Sequence, residues 1–165
     1  MFCLSHGKVK NKGQALLEAI IAISVLTSGF LGILTLLSRS LSLNRVVSDN
    51  YTATYLAAEG IEVVKNLVDT NRILRRSWNT GLSDSSFEVE HFSQSLETDQ
   101  NRFLLYDPNT HLYSYNGPTQ TNFKRKVTIA LIGSDEIKVN SLVSWTTRGG
   151  GSFSMNLEDH FFNWR

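Results

Sequence analysis

An α+β fold is predicted, in which a long N-terminal helix, membrane-spanning in its first half, packs against a small antiparallel β-sheet. Three observations predict it. A charge-free apolar run fills residues 19–37, apolar residues then recur at helical spacing to about residue 70, and the rest of the 165-residue chain alternates as strands do. The expected segments are a basic leader over 1–13, a transmembrane helix over 14–37, an amphipathic helix over 38–76 and a sheet region over 77–165.

The apolar run comes first. From Ala15 to Leu37 the one ionisable residue is Glu18, and the 19 residues from Ala19 to Leu37 carry no charge. As a helix they extend roughly 28 Å, close to the ~30 Å hydrocarbon core of a bilayer. Ser24, Thr27, Ser28 and Thr35 are expected to return their hydroxyls to the helix backbone. Gly29 and Gly32 are ordinary in membrane helices. Ala22, Gly29 and Gly32 would let helices approach closely, and would as readily face lipid.

Charge sets the orientation. The net charge is +1, but Lys8, Lys10 and Lys12 crowd the first 13 residues without an acid. The other 13 basic residues face 15 acidic ones. Lysines before the run, against Arg39 and Arg45 after it, place the N-terminus in the cytosol and the C-terminal region outside, in a single pass through the cytoplasmic (inner) membrane. A cleaved secretory signal fits poorly. The run is too long, it carries Glu18, and no A-x-A motif closes it.

Glu18 has two readings. It lies above the headgroups, with the span starting at Ala19, or it meets a positive partner supplied by assembly. A carboxylate at the centre of a bilayer helix costs about 2.5–3.5 kcal/mol on insertion scales and less near the interface. A chain cut after Gly13 would carry an α-amino group on Gln14, one turn from Glu18, and a neighbouring subunit's amine would neutralise the acid.

The stretch Lys12-Gly13-Gln14-Ala15-Leu16-Leu17-Glu18, followed by an apolar helix, resembles the class III signal of type IV pilins and pseudopilins. The resemblance covers about the first 37 residues. It implies cleavage after Gly13 by a membrane aspartic peptidase, the prepilin peptidase, on the cytosolic face. It also implies N-methylation of Gln14, a registration role for Glu18 in filament assembly, and Lys8, Lys10 and Lys12 as the leader charges. The partners implied are other pilins or pseudopilins through the helix, an inner-membrane assembly platform and membrane lipid. Gln14 stands where the family favours Phe, and Ala15 where it favours Thr. Pro108 and Pro118 are the only prolines, so the membrane segment lacks the helix-distorting proline of major pilins. That leans toward a minor pilin or pseudopilin, and Tyr55 to Asp69 (YLAAEGIEVVKNLVD) is similar to minor pilins of the PilV and GspI kind. Such proteins have a ladle shape, a helix laid against a small sheet.

Past the membrane segment, Val47, Tyr51, Thr54, Ala58, Ile61, Val64 and Val68 recur at spacings of three and four and predict the buried stripe. Ser38 to Ser48 is less regular, a place for a bend. Gly60 lowers helix propensity by up to ~1 kcal/mol against Ala. The helix should end between Asn71 and Ser77. Strands follow. Phe87, Val89 and His91 alternate with Glu88 and Glu90. Arg102–Tyr106 and Leu112–Tyr115 flank the turn Asp107-Pro108-Asn109-Thr110. Rows from Val127 to Leu131 and from Ile137 to Trp145 make a second hairpin through residues 133–136. Phe153, Met155 and Leu157 continue the alternation after Gly149-Gly150-Gly151, and the aromatic tail from His160 to Trp164 is expected to pack back.

Catalysis finds no support in the residues. His6, His91, His111 and His160 are far apart in sequence and make no i,i+4 pair, and no zinc motif occurs. Gly149-Gly150-Gly151 lacks the Lys-Ser or Lys-Thr of a phosphate loop. Cys3 stands alone, so no intrachain disulfide can form. No enzyme, metal or cofactor is expected. Arg72, Arg75 and Arg76, and Lys124, Arg125 and Lys126, read as solvated clusters too short to establish a nucleic-acid partner. The alternative to a filament subunit is a single-pass, membrane-anchored extracytoplasmic binding protein that does not polymerise.

Overall fold

The computed structural model describes residues 12–93, 95–147 and 150–163. The fold is α+β: one long helix and an antiparallel sheet. Helix α1 spans Lys12–Ile73 without a break in its α-helical assignment, including the irregular stretch Ser38–Ser48. The chain divides into two units, Met1–Arg45 and Val46–Arg165.

In the second unit, the strands are β1 Ser85–Glu88, β2 Glu97–Thr98, β3 Leu105–Asp107, β4 Leu112–Ser114, β5 Thr119–Gln120, β6 Phe123–Ile132, β7 Glu136–Thr146 and β8 Ser152–Phe162. They form a five-stranded sheet in the order β2-β1-β6-β7-β8 and a three-stranded sheet in the order β4-β3-β5, with every pairing antiparallel. The two expected hairpins are β3–β4 and β6–β7. In the first, Asp107 Oδ1 accepts the Asn109 N–H at 2.9 Å, an Asx turn, and His111 adopts φ 59°. In the second, Gly133 supplies φ 63° in the short loop between Ile132 and Glu136. Residues 160–162 do not fold back as a separate tail. They complete β8, with Phe161 opposite Ile137. Trp164 and Gly149 lie outside the described residues.

Period-two alternation puts Phe123, Arg125, Val127 and Ile129 of β6, and Ile137, Val139, Ser141, Val143 and Trp145 of β7, on the inner face. The helix covers that face with a stripe different from the expected one. The buried positions are Ala53, Leu56, Ala57, Gly60, Val63, Val64 and Val68. Tyr51 is 65% exposed and Ala58 is exposed; only Val64 and Val68 of the expected set are fully buried. The reason is the small-residue seam. Ala53, Ala57 and Gly60 let the helix backbone come close to the sheet, which turns the tyrosines outward. A Cβ on Gly60 would collide with Ser141 Oγ and stand 3.0 Å from Val127 Cγ2.

Two apolar clusters flank this seam. Val63, Val64 and Val68 pack with Trp78, Phe87, Val127 and Val139. Ala53, Leu56 and Ala57 pack with Leu104, Phe123, Val143 and Trp145. The helix ends inside the expected window through two backbone bonds: Arg75 N–H to Arg72 O at 3.0 Å and Arg76 N–H to Asn71 O at 2.9 Å. Arg75 takes φ 55°, so an arginine fills the left-handed closing position usually given to glycine. The Asn71 amide then donates to Trp78 O and Thr80 O, at 3.2 and 2.8 Å, and shapes the descent toward β1.

Two charged side chains expected in water, Arg125 as part of a solvated basic cluster and Glu88 by the alternation with Phe87 and Val89, are buried. Arg125 has no exposed side-chain surface. It lies between helix and sheet, 3.1 Å from Glu59 Oε2 and 3.0 Å from the carbonyl of Leu56, and it also donates to the carbonyl of Val89. The side chain of Glu88 is 1% exposed. It accepts the N–H groups of Gln100 and Arg102 at 3.1 and 2.9 Å and meets Arg102 Nε at 2.6 Å. Burial pushes the nearby Tyr115 phenol up to about 12, and its hydroxyl donates to the Arg125 carbonyl at 3.2 Å.

Two outcomes test this packing. Gly60→Ala should cost about 1–3 kcal/mol by overpacking the seam, read by urea unfolding in detergent with Trp fluorescence, and Ser141→Gly should recover part of the loss. Unchanged stability in Gly60→Ala would show the seam to be loose. Arg102→Met, which strips the buried Glu88 carboxylate of its cation, should cost about 3 kcal/mol in the same assay.

Candidate functional site

The residues singled out by the sequence sit at the start of α1. Lys12 opens the helix, and Lys8 and Lys10 lie outside the described residues. Gln14 and Glu18, four positions apart, share one face with Leu17, Ile21 and Ala22, and these five line a shallow groove. The Glu18 side chain makes no hydrogen bond or ion pair with any other described residue.

No described residue of this unit covers the helix. Residues 13–45 are all exposed, with Leu16 at 65%, Leu26 at 72% and Leu36 at 69%. A soluble helix with that composition would bury a stripe. This is the one helix among the described residues long and apolar enough to cross a membrane, with a mean hydropathy of 2.3 over its most apolar window. The chain therefore carries a candidate for a single membrane pass. The hydroxyls of its apolar run are already satisfied within the helix. Ser24, Thr27, Ser28 and Thr35 donate to the carbonyls of Ile20, Ile23, Ser24 and Leu31, at 2.8–2.9 Å.

Glycine at position 13 has no packing reason. A Cβ there would find nothing within 4 Å, and the same holds at Gly29 and Gly32. At Gly60 the fold demands glycine; at Gly13, Gly29 and Gly32 no contact with a described residue does.

The second unit holds a cleft that linear spacing concealed. Thr52, Tyr55 and Glu59 of α1 line it together with His91, His111 and Tyr113. Two histidines 20 positions apart in the chain thus share one cavity, of about 280 Å³, with Leu56 and Leu112 as its apolar walls. His111 Nδ1 lies 2.8 Å from the Tyr106 hydroxyl. His91 Nδ1 is buried without a hydrogen-bond partner among the described residues. Burial, chiefly, with the neighbouring Tyr106 and Asp49, holds the Tyr113 phenol above its ordinary value of 10. The visible signal was the i, i+3, i+7 spacing of Thr52, Tyr55 and Glu59. What hid the cleft was the tertiary pairing that carries His91 and His111 to it.

No group of three or more His, Cys, Asp or Glu side chains among the described residues is placed to hold a metal ion. No protein-family model matches the chain, and neither any curated protein nor any solved structure is significantly similar to it.

Proposed function

We propose that the chain is a minor pilin or pseudopilin, a structural subunit of a type IV pilus or type II secretion-like filament. The observation that carries this reading is the unpacked apolar helix headed by Gly13, Gln14 and Glu18. Glycine there answers no contact in the fold, yet a residue without Cβ suits an extended backbone in a peptidase cleft. Glu18 faces the same groove as Gln14. Removal of the basic leader by prepilin peptidase leaves an amine at Gln14, the site of N-methylation, and takes away three lysines that resist movement out of the bilayer. The helix then exchanges lipid for sister helices, each Glu18 meeting a neighbour's Gln14 amine. Partners in this reading are the peptidase, other pilins or pseudopilins and an inner-membrane assembly platform.

Mass analysis of the mature chain, in cells with and without prepilin peptidase, tests the reading. A chain beginning at Gln14 only when the peptidase is present is expected. Retention of the leader in both strains would instead leave a membrane-anchored protein that does not polymerise. Glu18→Ala should insert normally yet enter filaments about tenfold less, the consequence of losing roughly 1.4 kcal/mol of charge pairing. Incorporation at the unsubstituted level would remove Glu18 from assembly.

A further inference from the structure

Strand β8 is the outermost strand of the five-stranded sheet and pairs with β7 alone. Its 11 residues form an edge whose far end must be held down by side chains and neighbouring segments. Arg72 of α1 donates to Phe162 O at 2.6 Å, and the Asn163 N–H donates to Asp135 O at 2.9 Å. Phe161 packs against the apolar cluster of Val64, Val68 and Ile137. His160 adds a further fastening. Its Nδ1 lies 2.6 Å from Glu136 Oε1 on β7, and its Nε2 lies 3.2 Å from Glu158 Oε1 on β8 itself.

That geometry suits one protonation state. A neutral imidazole donates from one ring nitrogen and accepts at the other, and an ionised carboxylate only accepts. Here both ring nitrogens face carboxylate oxygens. The imidazolium satisfies both contacts, whereas a neutral ring turns a lone pair toward one of the two acids. The other charged groups nearby are already engaged. Lys138, opposite His160 in the register, lies 2.8 Å from Glu158 Oε2, and the Asn140 amide donates to the same oxygen at 2.8 Å. Asp159 accepts the His160 N–H at 2.8 Å. On the α1 side, Lys65, Asp69 and Arg72 line a hollow of about 160 Å³ together with His160. Lys65 pairs there with Glu62 at 3.4 Å, and Arg72 with Asp69 at 3.9 Å. The Glu136 side chain, by contrast, makes no ion pair or hydrogen bond among the described residues except with His160.

We propose that His160 is a proton-operated latch on the end of β8. Protonated, it ties the strand to β7 through Glu136; on losing its proton it lets residues 160–163 fray from Ile137 and from α1. Glu136 first, and Glu158 second, hold the His160 imidazole above its ordinary 6.5. Lys138 chiefly, with Asn140 and His160, brings the Glu158 carboxyl down to about 2. A histidine raised in the fold adds stability that is fully present below pH 6.5 and is lost as the pH climbs through the higher folded value. Glu158 adds stability that is present above its ordinary 4.5 and is lost only as the pH falls toward 2. The latch is therefore closed in mildly acidic solution and open in alkaline solution. It stands whether or not the chain enters a filament.

Hydrogen–deuterium exchange on the full chain in detergent, read by mass spectrometry and corrected for the intrinsic pH dependence of amide exchange, tests it. Opening of a peptide covering 155–163 should rise about tenfold between about pH 5.5 and about pH 9, while a β6 peptide covering 123–132 stays unchanged. His160→Gln should abolish that dependence, although His91 and His111 still titrate. Glu136→Gln should flatten it as well, because an amide can donate to a neutral ring. This second variant keeps His160 beside Glu158, and it decides the matter should His160→Gln loosen the strand at every pH. Exchange that ignores pH in the native chain overturns the latch. So does a dependence that survives in His160→Gln, one that is unaltered in Glu136→Gln, or an equal change in the β6 peptide.

Discussion

The buried guanidinium of Arg125 is the constraint around which the C-terminal unit is organised. A charge taken out of water must be met on every side, or it costs several kcal/mol. Arg125 reaches Glu59 and Leu56 O on the helix and Val89 O beyond β1. Three segments distant in sequence are thereby fixed to one point. Because the partners on α1 lie at 56 and 59, the rotation of the helix is fixed as well, and Gly60 faces Ser141 and Val127. The apolar clusters on either side would tolerate some slippage; a guanidinium with directed hydrogen bonds does not. The tyrosines of the outer helix face follow from that rotation, and with them the cleft.

The other unit obeys the opposite logic. Its helix carries an unbroken apolar run over 19–37, and every residue from 13 to 45 is exposed. In water such a surface would drive aggregation; in a bilayer it is at home, because backbone groups and hydroxyls are satisfied within the helix. Glu18 is the exception, a carboxylate whose proposed counter-charge comes only with a second subunit. The two units thus separate the proposed tasks: one holds a folded head together by directed internal bonds, and the other keeps its contact surface for lipid and for copies of itself.

Two kinds of glycine illustrate how function and folding are told apart. Gly60 is enclosed by Ser141 and Val127, and its identity is explained by packing. No described residue lies within 4 Å of a Cβ at Gly13, so packing among the described residues does not explain its identity. Read in sequence, Gly60 is a helix-weakening residue, and Gly13 is the residue before a cleavage point by resemblance; the packing reason for Gly60 is visible only in its neighbours.

Local patterns made the elements legible. Unbroken apolarity marked the first half of α1, period-two rows marked β6 and β7, and Asp107-Pro108-Asn109 marked the β3–β4 turn. These depend on neighbours within a few positions, so the sequence by itself settles them, and it also places Gly13, Gln14 and Glu18 ahead of the apolar run. The phase of the buried helical stripe, the burial of Arg125 and Glu88, and the meeting of His91 with His111 were decided by tertiary structure alone. Each depends on which atoms arrive from elsewhere in the chain. A charged side chain in an alternating row is solvated or buried according to whether a distant carbonyl and carboxylate come to meet it, and no local spacing carries that information.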